Sequence, residues 1–263
     1  MPARPLQRFG VRATLLFMVA TAALCSDMQV PSVAPPAAEF SFVRLIYSDD
    51  YSNSFAASGF RMLRREFWHT DCPEAEDHLL RGVQRLTRID AAGSGRMMSI
   101  MDDSLFDYPW IYAVEVGHWR LNDREAARLR DYLLRGGFLV VDDFHGSQEW
   151  IGFTESMRRV FPDRPIVDIP MDDPIFHVAY DLADRVQIPG IQSVFSGRTY
   201  ENDGYYPEWR GIYDDAGHLM VVINFNMDLG DAWEHADTPE YSLLYTTRAY
   251  QYAINYILYS MTH

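Results

Sequence analysis

The sequence predicts an α/β protein: a three-layer, doubly wound, mostly parallel sheet with helices on both faces. Three observations predict it. Two apolar, β-branched runs, IYAVEV (111–116) and FLVVDD (138–143), have the length and continuous hydrophobicity of strands covered on both faces. One helical segment lies between them, with Ala126, Leu129, Leu133 and Leu134 at helical spacing, an Asn122/Glu125 capping-box pair at its start and Gly136-Gly137 at its end. Strand-like and helical runs then alternate through much of the remaining chain, the order of βαβ units. Parallel strands joined by one helix bring their carboxyl ends to the same edge of the sheet, where open α/β proteins place their sites.

The chain opens with Arg4, Arg8 and Arg12, no acid, and the apolar run ATLLFMVATAAL, which is short for a bilayer span and fits a secretory signal over 1–26. Cleavage is expected near Ser26 or Asp27; a retained anchor and lipidation of Cys25 are the competing outcomes. Residues 27–40, rich in Pro and Ala without an apolar period, read as a disordered linker, and 41–263 as one α/β domain. FVRLIY (42–47) is the first strand, running into the polar turn that holds Asp49 and Asp50. FAASGFRMLRREF (55–67) has helical spacing, and Asp71 with Glu74 offers a second capping box for a helix over 73–88. RMMSIM (96–101) is a weaker strand, and the strand–helix–strand unit follows it. EWIGFTESMRRVF (149–161) reads as a helix closed by Pro162, and PIVDIP (165–170) as a short strand. Residues 183–210 read as an irregular insertion, and RGIYDDAGHLMVVINFN (210–226) as a hairpin turning at Gly217. NMDLGDAWEHAD (226–237) reads as a polar loop, and Thr238-Pro239 as the start of a closing helix.

Charge and composition exclude several chemistries. The net charge of −14 argues against nucleic acid and anionic membrane as partners, and more so without the three signal arginines. All 23 basic residues are Arg, so Schiff-base chemistry, a phosphate-loop lysine and a Ser-Lys dyad are ruled out. If Cys25 leaves with the signal, Cys72 is the sole thiol; it stands beside Pro73 without a glycine elbow, and a structural role is expected.

The candidate site is the set of polar residues leaving the strands at the carboxyl edge. Asp142, Asp143 and His145 follow one strand, and Glu115 and His118 the other. These hard oxygen and imidazole donors suit a divalent metal, with Asp143, His145 and His118 as ligands, or a general acid/base pair drawn from Asp142, Asp143, Glu115 and His145. Asp49, Asp50, His118, Trp119 and Asn226 are further ligand-binding candidates, with Asn224 and Asp228 able to face the same crevice. Asp172, Asp173 and His177 repeat the pattern, but Asp-Pro suits a turn. His69 and Asp71 could pair as ligands, yet Asp71 is assigned to capping. Trp119, Trp150, Trp209 and Trp233 fall in predicted loops with Tyr205 and Tyr206, either as exposed faces for a sugar or packed beneath the 183–210 insertion.

The strings YPWIYAVEVGH, E-x-x-x-L-R-x-Y-L at 125–133, RGGFLVVDDFHG and FPDRPIVDIPMDDPIFH together resemble the bacterial family named domain of unknown function 4159, over about 42–259. The resemblance implies a flavodoxin-like fold of the class I glutamine amidotransferase-like superfamily and implies no activity. Amidotransferases carry a Cys in a glycine-flanked turn after a central strand; here Phe144 and His145 occupy that turn and Cys72 lies on another element. Two functions are therefore expected in competition: a non-catalytic binding or assembly module of the cell envelope, taking a carbohydrate or an envelope protein, and an exported hydrolase built on the rim carboxylates.

Overall fold

In the computed structural model the described residues are 38–49 and 66–263. The signal, residues 27–37 of the expected linker, Asp50 and most of the helix expected over 55–67 lie outside them, while Phe40 at the linker's end is buried and pairs with Ala91. The chain in order contains β1 (Val43–Ile46), α1 (Glu74–Leu86), β2 (Arg96–Ser99), β3 (Trp110–Val114), α2 (Asp123–Leu134), β4 (Phe138–Asp142) and α3 (Gly146–Val160). It continues with β5 (Val167–Asp168), α4 (Ile191–Phe195), β6 (Glu208–Tyr213), β7 (Leu219–Phe225), α5 (Leu229–Glu234) and α6 (Leu243–Thr262). The seven strands form one sheet in the order β2-β1-β3-β4-β7-β6-β5. β2, β1, β3, β4 and β7 pair in parallel, and the β6–β7 hairpin and β5 add antiparallel pairs at one side.

The two faces follow from the two-residue period of a strand. Tyr112, Val114, Val140 and Val222 point to one face, where Leu79 and Val83 of α1, Trp233 of α5 and Ala253 and Ile257 of α6 cover them. Ile111, Ala113, Leu139, Val141 and Ile223 point to the other, beneath Leu129 and Leu133 of α2 and Phe153 and Met157 of α3. This is the three-layer arrangement that the continuous apolar runs predict. The capping box of α2 forms in full: Asn122 Oδ1 accepts from the Arg124 and Glu125 N–H groups, and Glu125 Oε2 accepts from the Asn122 N–H at 2.9 Å.

Three element assignments are corrected. Residues 226–237 are not a loop, because α5 forms within them, with Asp228 capping it and Leu229, Ala232 and Trp233 buried at helical spacing. α6 starts at Leu243 under a Ser242 cap rather than at Thr238. Asp71 does not cap α1: Pro73 takes the cap position without a side-chain bond, and Asp71 turns inward at φ 63°. The four tryptophans are not exposed platforms. Trp119, Trp209 and Trp233 are buried in the core, and Trp150 of α3 packs among Phe144, Phe153 and Phe225 under Arg210.

From β1 the chain runs out to β2 and then crosses back to β3 on the other side of β1. The strand order reverses there, which marks the carboxyl ends of β1 and β3 as the position where open α/β sheets place their sites.

Candidate functional site

Three neighbouring strands end alike at this edge. Glu115 after β3, Asp143 after β4 and Asn226 after β7 all take positive φ, at 54°, 50° and 62°. Asn and Asp enter this region at modest cost, but Glu does so rarely, and such backbone gathers where a site over-determines it. Hydrogen bonds beyond the strand pairing hold the turns: Glu115 N–H donates to Asp143 O at 3.1 Å, Asp143 N–H to Met227 O at 3.0 Å and Asn226 N–H to Phe144 O at 3.1 Å. The left-handed step turns each side chain out of the strand alternation and into the edge.

Within the edge, His145 Nε2 lies 3.2 Å from Asp143 Oδ1, both groups buried. Burial holds the His145 imidazole down at about 4, so the ring is neutral at pH 7. Burial, reinforced by Glu115, Asp71 and Asp231, pushes the Asp143 carboxyl well above the ordinary range. Asp142 is fully buried and lifted to about 7 by that burial, although Tyr112 Oη at 2.9 Å and the N–H groups of Leu229 and Gly230 donate to its Oδ2 and oppose the rise. It ties β4 to α5. Glu115 and His118 form a partly exposed pair at 3.8 Å, and His118 stacks on Phe67 with centroids 3.9 Å apart. Asp49 is buried and bridges in backbone pairing to Trp119, whose indole stacks on Phe153 inside the core. The Asn226 side chain accepts from Gly146 N–H and donates to Tyr206 O.

The edge also holds Asp71, which the sequence assigned to capping, Asp228, which it placed at the crevice, and Asp231, which it did not single out. Asp71 is brought in because Arg44, buried in β1, donates to the carbonyls of Trp68 and Thr70 and pairs with Glu76, which folds the 66–72 segment over the strand ends. Asp228 and Asp231 arrive on α5. One oxygen from each of Asp71, Asp228 and Asp231 lies within 4.8 Å of the others, and Asp231, Glu234 and His235 form a second such group. Asp143, His145 and His118 do not close into one. Burial and mutual repulsion push Asp71 and Asp228 well above the ordinary carboxyl range. The helical spacing of Asp228, Asp231 and His235, with Leu229, Ala232 and Trp233 between, was the sequence signal for the α5 acids.

Asp172, Asp173 and His177 stay out of the edge: Asp173 caps a turn through Ile175 N–H, and His177 bonds Asp181 and Met171 O. Asn224 is buried in β7 and accepts from Tyr256 Oη. Cys72 is half-buried, and burial with nearby Glu76 lifts its thiol to about 11, so it carries no thiolate at neutral pH. No helix among the described residues is long and apolar enough to cross a membrane. No curated protein matches the sequence. The sequence model of one family, described as Domain of unknown function (DUF4159), matches residues 45–261, and the chain belongs to that family.

Proposed function

We propose that the protein is a non-catalytic ligand-binding module of the cell envelope, working after export, with its ligand seated at the carboxyl edge. One observation carries this reading: the edge holds buried polar groups with unspent hydrogen-bonding capacity. Asp71 Oδ2 and His145 Nδ1, on different elements, are both buried without a partner among the described residues. Such groups cost about 1–3 kcal/mol each when left unmade, and a ligand or bound water that completes them recovers the cost. The thiol of Cys72 is no nucleophile, which favours binding over acyl transfer. Tyr205 and Tyr206, the exposed aromatics beside Asn226, suit a carbohydrate face.

The test is an oligosaccharide array and an envelope-fraction binding assay with the exported protein and its His145→Gln variant. Saturable binding by wild type that the variant loses is the expected result. Silence in both assays contradicts the reading.

A second reading, an exported hydrolase, is favoured by the Asp143–His145 pair beside Glu115. Turnover of glycosides that Asp143→Asn abolishes would support it over simple binding.

A further inference from the structure

The acids carried by the 66–72 segment and α5 are not those that follow β3 and β4, and they have a geometry of their own. Asp71 and Asp228 are each only 4% exposed, and Asp231 is partly buried. An acidic cluster on a surface is solvated, whereas one inside a protein needs a proton or a cation. Arg44 offsets part of this charge from a distance but makes no hydrogen bond to these acids: it pairs with Glu76 and donates to two carbonyls, and Asp71 Oδ2 has no hydrogen bond among the described residues.

Two glycines let these carboxylates pack directly against backbone. A Cβ on Gly230 would press into Asp71 Oδ2 and lie 2.9 Å from Tyr112 Oη. A Cβ on Gly190 would sit 2.7 Å from Glu201 Oε1, 2.9 Å from Asp228 Oδ2 and 3.2 Å from Asp231 Oδ2. A fourth carboxylate therefore faces the same group. Two of the carboxylate oxygens also accept from backbone: Asp228 Oδ1 from Asp231 N–H at 2.7 Å, and Asp231 Oδ2 from Ile191 N–H at 2.6 Å. Those bonds orient the two side chains much as outer hydrogen bonds orient metal ligands. Among Asp71, Asp228, Asp231 and Glu201 every donor is a hard oxygen, which suits magnesium, calcium or manganese rather than zinc or copper.

We propose that Asp71, Asp228 and Asp231, with Glu201 beside them, bind one hard divalent cation at the carboxyl edge. The proposal rests on reading that edge as a ligand site, and it assigns to the cation the partner that Asp71 lacks. Each ligand must lose its proton to bind, so affinity rises with pH.

The test uses the exported protein stripped with EDTA and titrated calorimetrically with magnesium, calcium or manganese chloride, with melting temperature followed in parallel. The expected result is one ion bound per chain for at least one metal, tighter at pH 8 than at pH 6. At a hundredfold excess over Kd it should raise Tm by about 5–10 °C. Asp71→Asn and Asp231→Asn, which keep side-chain shape, should remove both the heat and the Tm shift. Because Asn tolerates positive φ, Asp71→Asn should leave the metal-free protein at least as stable as wild type. No heat with any of the three ions, or binding that survives in both variants, overturns the proposal. Oligosaccharide or envelope-protein binding that persists in EDTA and is lost in His145→Gln would keep the broader ligand-binding reading while this one fails.

Discussion

Glu115, Asp143 and Asn226 show how much of this protein's chemistry is decided by a single backbone angle. Each ends a strand at positive φ, and each thereby turns a polar side chain into the edge rather than onto the alternating faces of the sheet. Asp71 does the same at φ 63°, and the missing Cβ of Gly230 leaves room for it. Gly230→Ala should therefore destabilise the protein by about 1–3 kcal/mol, the usual range for overpacking. Neither Asp71 Oδ2 nor Tyr112 Oη can withdraw freely, since both are buried. Urea denaturation of wild type and variant measures the loss; a change near zero would mean that the carboxylate moves aside, and the close packing argued for this corner would be wrong.

At the scale of elements, α2 and α5 contrast what local sequence determines with what it does not. Three N–H groups at the start of α2 are met by side chains within four positions of each other, so the capping box was legible. Removing it with Asn122→Ala should cost about 1 kcal/mol, read as a lower denaturation midpoint at unchanged slope. No loss would show that Glu125, which also accepts from Ser48 Oγ, holds the helix start by itself. The parallel strands were legible for a similar reason: a strand covered on both faces must be largely apolar, and β3, β4 and β7 are buried at every position, with Asp142 and Asn224 as the charged or amide exceptions. Asp71 was misread because Asp three residues before Glu is a good local cap signal. What overrides it is tertiary, the grip of Arg44 on the carbonyls of Trp68 and Thr70. α5 was misread because it is only six residues long and polar residues flank it, Asn226 and Asp228 before and His235 and Asp237 after, while Leu229, Ala232 and Trp233 carry the helical period. The rim residues after β3 and β4 were legible from topology, since their strands are parallel. The Asp71–Asp228–Asp231 grouping was not, because it joins a segment before β2 to one after β7.

Over the whole molecule, the carboxyl edge sets how stability responds to pH. Burial holds the Asp142 carboxyl at about 7 and those of Asp71, Asp143 and Asp228 well above the ordinary range. A carboxyl raised in the folded state contributes stability that is complete below its unfolded value, near 4, and is lost as pH rises through the folded value. His145 acts in the opposite sense. Its folded value of about 4 lies below the unfolded one near 6.5, so its burial costs stability as pH falls between them, about 3 kcal/mol at most. Asp142 alone is worth about 4 kcal/mol in the stabilising direction over its own window, and three further acids share its sign. Exposed acids held low by hydrogen bonds, such as Asp163 at about 2 and Asp203, lose their contribution only at lower pH. Between pH 5 and 8 the buried acids therefore decide. The most direct measurement is the melting temperature of the EDTA-treated protein across that interval. Tm should rise steadily as pH falls from 8 toward 5, with the slope flattened in Asp71→Asn and Asp143→Asn. A Tm that is higher at pH 8 than at pH 5.5 would show that these carboxylates are already compensated in the folded protein, leaving no unmet charge for a ligand to answer.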